Sequence, residues 1–382
     1  MIRVRNSSLF TVLAALMVSL APVLQAAVLP DDRADVMWHS YEGDNITIEG
    51  PSVLVRKSVG KSVSVSANYY VDMITSASID VVTTASPYTE ERTQTSLGID
   101  YLRGGTMMSL GVTQSDESDF EARTYSLAIY QNLFGDLTTV TLAYSLGDDV
   151  VGMSTDPTFA RDVSRQTYGL GISQILTRNL IVNVNFEGIT DEGFLNNPYR
   201  SVRFLNDDGL TYSFQSEIYP NTRTSAAFSI GGRYYLPYRA ALHADARIFS
   251  DTWGIEATSF EIGYTHPWRD RWTFSTRYRY YSQTEADFYS DLFPRQDFQN
   301  FLARDKELST FTSAAIRLGA AFEFGREGMG PLDKGRVSFF YDRMLIDYEN
   351  FLDLRVTGVV PGSEPTFELE ADVIQAFVSF WY

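Results

Sequence analysis

The 382-residue chain contains no cysteine. Disulfide staples, thiolate metal sites and thiol nucleophiles are therefore excluded, and the fold rests on hydrogen bonding and packing. Lysine is almost as scarce, with four in all (Lys57, Lys61, Lys306 and Lys334), so most basic charge is arginine. Positive charge is in deficit overall: 31 Lys and Arg face 48 Asp and Glu, a net −17. A nucleic-acid partner needs a basic footprint, and none is expected here. The three histidines, His39, His243 and His266, are spread over distant segments without metal-ligand spacing. Beyond residue 28 no apolar run reaches the roughly 20 residues of a transmembrane helix. No P-loop, dinucleotide or nucleophile-elbow pattern stands in a strand–helix context, so no cofactor, metal or catalytic residue is expected.

The N-terminus is different in kind. Arg3 and Arg5 precede an apolar run from Leu9 to Leu20, followed by Pro22 and by Leu24-Gln25-Ala26-Ala27. A charged start, a short apolar core and small closing residues read as a signal peptide over 1–26. The mature part, 27–382, shows no sharp change of composition, so one architecture is the simpler reading. If it enters a membrane, it must do so as a closed barrel.

Sixteen runs of alternating polarity support that barrel: 34–42, 45–57, 62–75, 93–103, 106–115, 120–132, 137–147, 163–176, 179–189, 222–236, 239–250, 254–267, 271–283, 309–324, 334–348 and 370–382. Phe228, Ile230 and Tyr234 share one face of their run, whereas Ser229, Gly231 and Arg233 share the other. Connections alternate between short ones, such as Gly104-Gly105 and Pro237-Tyr238, and long ones near 76–92, 148–162, 190–221, 284–308 and 349–369. Short periplasmic turns and longer outer loops produce this rhythm in an antiparallel up-and-down transmembrane β-barrel. Soluble β-sandwiches use shorter strands and need no such rhythm.

Aromatics make up 14% of the chain and gather beside the short turns, at Tyr234, Tyr235, Tyr238, Trp268 and Trp272. An interfacial girdle on the periplasmic side explains that position. The chain closes on Phe380-Trp381-Tyr382, with Ile374, Ala376, Val378, Phe380 and Tyr382 on one face. That strand is similar to those which the barrel-assembly machinery recognises. The expected location is therefore the outer membrane, in contact with lipid bilayer and lipopolysaccharide. The acidic excess sits largely in outer loops, as at Asp116, Glu117 and Asp119, and reads as loop solvation, with divalent-cation contact as the sharper alternative.

Several segments carry a family resemblance: Ser86-Pro87-Tyr88-Thr89-Glu90-Glu91-Arg92, Ser115 to Phe120, Asp251-Thr252-Trp253-Gly254, and Arg277 to Tyr289. Together they resemble the bacterial outer-membrane barrels grouped as domain of unknown function 3570. The resemblance implies a barrel and brings no activity with it. It points to an accessory role in an envelope maturation or export system, with a periplasmic or lipoprotein partner.

Chemistry, if any, belongs to the inward face. Alternation places Arg233, His243, Asp245, Arg247, Glu261, Arg277, Arg279, Arg317, Glu323, Arg336 and Asp342 on one lumenal charge cluster. Transverse ion pairing is the structural explanation, and a field for anionic solutes is the functional one. His243 sits low in its strand, which disfavours a catalytic dyad at the outer rim. Arg277, Arg279 and Arg317 have few acids near them by strand order, Glu261 and Glu323 being the closest. Either water screens them, or loop carboxylates such as Asp287 and Asp291 fold inward. The favoured function is a pore or transport-related barrel without enzymatic activity. The alternative is a scaffold plugged by loop 190–221 or 284–308.

Overall fold

A strand inside a bilayer must pair on both edges, because no water is present to satisfy its N–H and C=O groups. The computed structural model describes residues 28–76, 88–325, 327–328 and 330–382, and it meets this demand with a closed sheet. The leader expected at 1–26 lies outside the described residues. Each of the sixteen expected runs becomes a barrel strand. They are β1 (Arg33–Gly43), β2 (Ile46–Val59), β3 (Val63–Ser76), β4 (Tyr88–Arg103), β5 (Thr106–Asp116), β6 (Phe120–Leu133), β7 (Thr138–Gly152), β8 (Ala160–Thr177) and β9 (Leu180–Gly193). The second half supplies β12 (Thr222–Tyr235), β13 (Ala241–Asp251), β14 (Glu256–Trp268), β15 (Trp272–Gln283), β16 (Phe311–Phe324), β17 (Lys334–Leu352) and β18 (Thr366–Trp381). Neighbours in sequence pair antiparallel, and β18 returns to β1 in register from Arg33↔Trp381 to Gly43↔Ala371.

Two features differ from the sequence expectation. Several strands run further at their outer ends: β4 starts at Tyr88, β7 reaches Gly152, and β17 reaches Leu352. Once both faces are wet the polarity alternation fades, yet backbone pairing with a neighbour continues. The second difference is a hairpin, β10 (Ser201–Leu205) with β11 (Tyr212–Ser216), inside the long connection 194–221.

Turn chemistry follows the chain closely. Gly43 and Ile46 pair across Asp44 and Asn45, both at positive φ (50° and 54°). Two consecutive left-handed residues twist in the sense that strand pairs require, and Asp and Asn tolerate them. At the other end of the barrel, Gly60 at φ 70° turns β2 into β3.

Exposure separates the two faces. Leu97, Leu110, Leu142, Leu170, Phe186, Ile230, Ile248, Ile262, Phe274, Leu318 and Phe339 are all exposed, on successive strands around the wall. A soluble surface does not carry so continuous an apolar belt. On the inner face Gly319 is tighter than alternation alone implies: a Cβ there would lie 2.4 Å from Ser275 Oγ and 2.7 Å from the Phe340 ring. Ser229, half-buried and accepting from Asn185 at 3.3 Å, is the inward position without such a glycine contact.

A lysine at Ile230, Leu318 or Phe274 should destabilise the barrel by about 2–4 kcal/mol if the site lies near the bilayer midplane. Urea titration in lipid vesicles measures this, with Ser229→Lys as the inward control. Equal cost at Ile230 and Ser229 would refute the assigned faces.

Candidate functional site: a charged lumen beneath a loop cap

The inner wall of β12 to β17 carries the charges expected from alternation. Register places Glu261 between Asp245 and Arg279, Arg317 between Arg277 and Asp342, and Glu323 opposite Arg336. Glu261 Oε1 lies 3.2 Å from Arg277 Nε and 3.7 Å from His243 Nε2. Arg317 Nε donates to Asp342 at 2.7 Å, and its Nη2 reaches Gln375 at 3.4 Å. Arg247 donates across to Glu187 on β9 at 2.9 Å. Asp245 and His243 lie flat across glycines, since a Cβ on Gly231 or Gly263 would meet them at 2.0 and 1.9 Å. Arg233 and Arg279 have no ion pair among the described residues. Arg336 leaves its Nε without a hydrogen-bond partner.

This region is wet. Arg277 and Arg247 keep 39% and 47% of their side chains exposed while pointing away from lipid. Inward-folding loop carboxylates do not neutralise them. Asp291 is taken by Arg203 and Arg304, and Asp287 packs against Gly254. Wall acids one strand away are simply closer than any loop acid, and water screens what they leave unpaired.

Above the wet lumen, the outer loops converge. Residues 194–221 and 284–310 join through the bridges Phe204↔Phe293 and Ile218↔Leu302. Tyr219, Trp253, Phe288, Tyr289 and Leu308 form an apolar cluster with Phe249 of the wall, and Val202, Phe293 and Leu302 form a second. A third lines the mouth, with Tyr41, Ile48, Tyr348, Phe351 and Phe367. Tyr199 carries the cap to the opposite side, donating to Asp119 at 2.5 Å and accepting from the Ser154 amide at 2.6 Å.

Buried ion pairs tie these loops together. Arg203 has no exposed surface, pairs with both Asp291 and Glu364, and stacks its guanidinium over Tyr212. Arg304 Nη2 lies 2.9 Å from Asp291 and its guanidinium covers Phe351. Arg200 pairs with Asp305, and Lys306 Nζ lies 3.2 Å from Asp44 in the β1–β2 turn. Planar arginine makes the bidentate bridges that connect two carboxylates from two loops. One further buried acid, Glu217, accepts from the Arg304 amide and from the Tyr219 hydroxyl, each at 2.7 Å. Burial, with Asp305 beside it, pushes the Glu217 carboxyl above its ordinary range.

Sequence reasoning missed the cap charges and also His39, which it left isolated. His39 Nε2 lies 2.7 Å from Asp72 Oδ1, and its ring stacks on Tyr70, all inside the wall. The signal for the cap hairpin was present: Ser201 to Leu205 and Tyr212 to Ser216 flank Asn206-Asp207-Asp208-Gly209, a turn composition. Nothing in the order of residues shows that Arg203 meets Glu364, which lies 161 positions away. The acidic outer loops bring Glu117 and Asp119 to Glu90, with ligand oxygens within 4.8 Å; Asp116 stays apart on the outer face. Arg92 faces Glu117 at 3.7 Å, Tyr199 donates to Asp119 and Ser118 donates to Glu90, so each of the three acids has a partner within the protein.

A closed sixteen-stranded antiparallel sheet with an apolar outer belt and a charged inner face defines a transmembrane β-barrel of the outer-membrane type. The chain belongs to the protein family of unknown function DUF3570, whose model matches residues 78–328. Among curated proteins none matches its sequence. Solved structures that it resembles include OmpT of Vibrio cholerae, at 11% identity over 93% of this chain and 100% of that one, with a TM-score of 0.45. A bacterial polysaccharide outer-membrane secretin shares 8% identity over 93% and 100%, with a TM-score of 0.48. A deltaS2 mutant of the TodX monoaromatic hydrocarbon channel shares 12% over 92% and 90%, with a TM-score of 0.40. These likenesses are distant and say nothing of what this chain conducts or binds.

Arg203→Ala leaves Glu364 without its cation and Asp291 with Arg304 alone, a loss of about 3–5 kcal/mol to the cap. Amide exchange at Leu205 and Phe293 should accelerate while barrel strands stay protected. Unchanged protection at both amides would mean that these ion pairs do not hold the loops.

Proposed function

We propose that the protein is a gated outer-membrane conduit for small anionic solutes, and not an enzyme. The observation that carries this reading is the arrangement of a wet, arginine-rich lumen under a cap of buried ion pairs. The chain as a whole has a net charge of −17, yet guanidinium groups from Arg233, Arg247, Arg277, Arg279, Arg317 and Arg336 line this one interior. A ring of fixed cations in a low-dielectric wall concentrates anions and repels cations. Sixteen strands leave room for water in such a barrel. The leader over 1–26 directs export, the terminal Phe380-Trp381-Tyr382 addresses the chain to the barrel-assembly machinery, and the apolar belt meets bilayer and lipopolysaccharide.

The cap favours a second reading, a scaffold with a permanently plugged lumen that serves a periplasmic or lipoprotein partner. Currents across planar bilayers separate the two. The conduit reading expects few openings from the native barrel and larger ones from Arg203→Ala. In that open background Arg277→Ala should move the reversal potential in a salt gradient toward cation selectivity, with little change in thermal stability. A silent Arg203→Ala barrel would sink the conduit and leave the scaffold.

A further inference from the structure

Four buried cations in the cap, Arg200, Arg203, Arg304 and Lys306, each face a carboxylate of their own or share one. Among the described residues they meet the carboxylates of Asp44, Asp291, Asp305 and Glu364. Glu217 is a fifth buried acid, 5% exposed, and its contacts are neutral donors. Rim residue Arg355 is held by Asp353 at 2.7 Å and faces Asp44 only at 3.8 Å.

We propose that Glu217 is the proton-binding switch of the cap, held as a neutral acid when the mouth is closed and ionised when it opens. The inference rests on the gated-conduit reading and adds its regulation. Geometry places the switch at the joint between the two cap loops. Glu217 Oε1 accepts from the Arg304 amide, and one residue further Ile218 N and O pair with Leu302 O and N at 2.9 and 2.7 Å. From its own loop Tyr219 and Arg200 face Glu217; from 284–310 Arg304 and Asp305 do so. Arg200 is already committed to Asp305, and Arg304 offers its backbone to Glu217 while its side chain serves Asp291. An ionised Glu217 therefore sits beside Asp305 in a dry joint without a cation to itself, which loosens the joint.

The sign follows from proton counts. A closed mouth keeps the Glu217 proton to higher pH than an open one, where the carboxyl regains its ordinary affinity. Closure is thus favoured on the acid side and lost as pH rises through the Glu217 range, by up to about tenfold in the closed-to-open ratio per pH unit. An outer-membrane conduit with this joint shuts in acid and opens toward neutrality.

Two readouts test the switch on the full-length barrel in lipid. Protection factors of the Ile218 and Leu302 amides, referenced to barrel-strand amides, are measured between about pH 5 and about pH 8. Conductance in potassium chloride is recorded over the same range. Native protein should lose protection and gain conductance as pH rises. E217Q keeps an oxygen to accept from the Arg304 amide and reverses the Tyr219 bond, its NH2 donating to that hydroxyl; it has no titrating group, so both curves should flatten in the closed state. D305N frees Arg200 for Glu217 and should move the transition to lower pH, which keeps the test open if E217Q fails to assemble. Flat protection in the native protein, or a pH response surviving in E217Q, would overturn the switch. Protection that follows pH while even Arg203→Ala stays silent would instead remove the conduit and leave the switch standing.

Discussion

Everything in this molecule depends on the closure of one hydrogen-bonded ladder. Backbone groups in hydrocarbon cannot turn to water, so an open sheet edge there costs several kcal/mol per unpaired group. Pairing β18 with β1 removes both edges at once. Closure then divides every strand into a lipid side and a lumen side, and it fixes which loops face out. It also forces the interior to hold whatever the outer wall rejects. Guanidinium groups concentrate inside the barrel because the only other face is hydrocarbon.

Those guanidinium groups are compensated in two different ways, and the difference organises the interior. Along β13 to β17 a cation meets a wall acid across one or two strands and leaves part of itself in water. In the cap the charges are buried, and Arg203 and Arg304 are each bonded on several sides and covered by an aromatic ring. Wet pairing is weak and adjustable, which suits a passage. Dry pairing is all-or-none, since removing one partner strands a charge, and that suits a closure. The apolar clusters around Trp253 and Phe351 supply the dryness on which the second kind depends.

How far the sequence was legible depended on the range of the interaction involved. Alternation is local, so Arg317 and Phe274 were assignable to their faces from neighbouring residues alone, and strand order put Arg277 beside Glu261. The Arg317–Asp342 pair was also within reach, lying on adjacent strands, yet counting acids without register overlooked it. Strand ends were less legible: β4 pairs from Tyr88, ahead of its alternating run, and β17 passes through a register shift before Leu352 pairs with Thr366. Alternation puts Gly319 on the inner face, but only the fold shows that Ser275 and Phe340 reach over it from two other strands.

By itself the sequence determined that the chain closes as a barrel of sixteen strands, which residues meet lipid, and that arginines line the lumen. Period-two polarity, turn residues and the aromatic terminus are all written within a few positions of one another. Only tertiary structure decided what lies over the mouth. Arg203 finds Glu364 and Lys306 finds Asp44 across long stretches of chain. The reason is physical: the wall is set by a repeating backbone pattern, whereas the cap is set by charges that had to find partners in three dimensions once water was excluded.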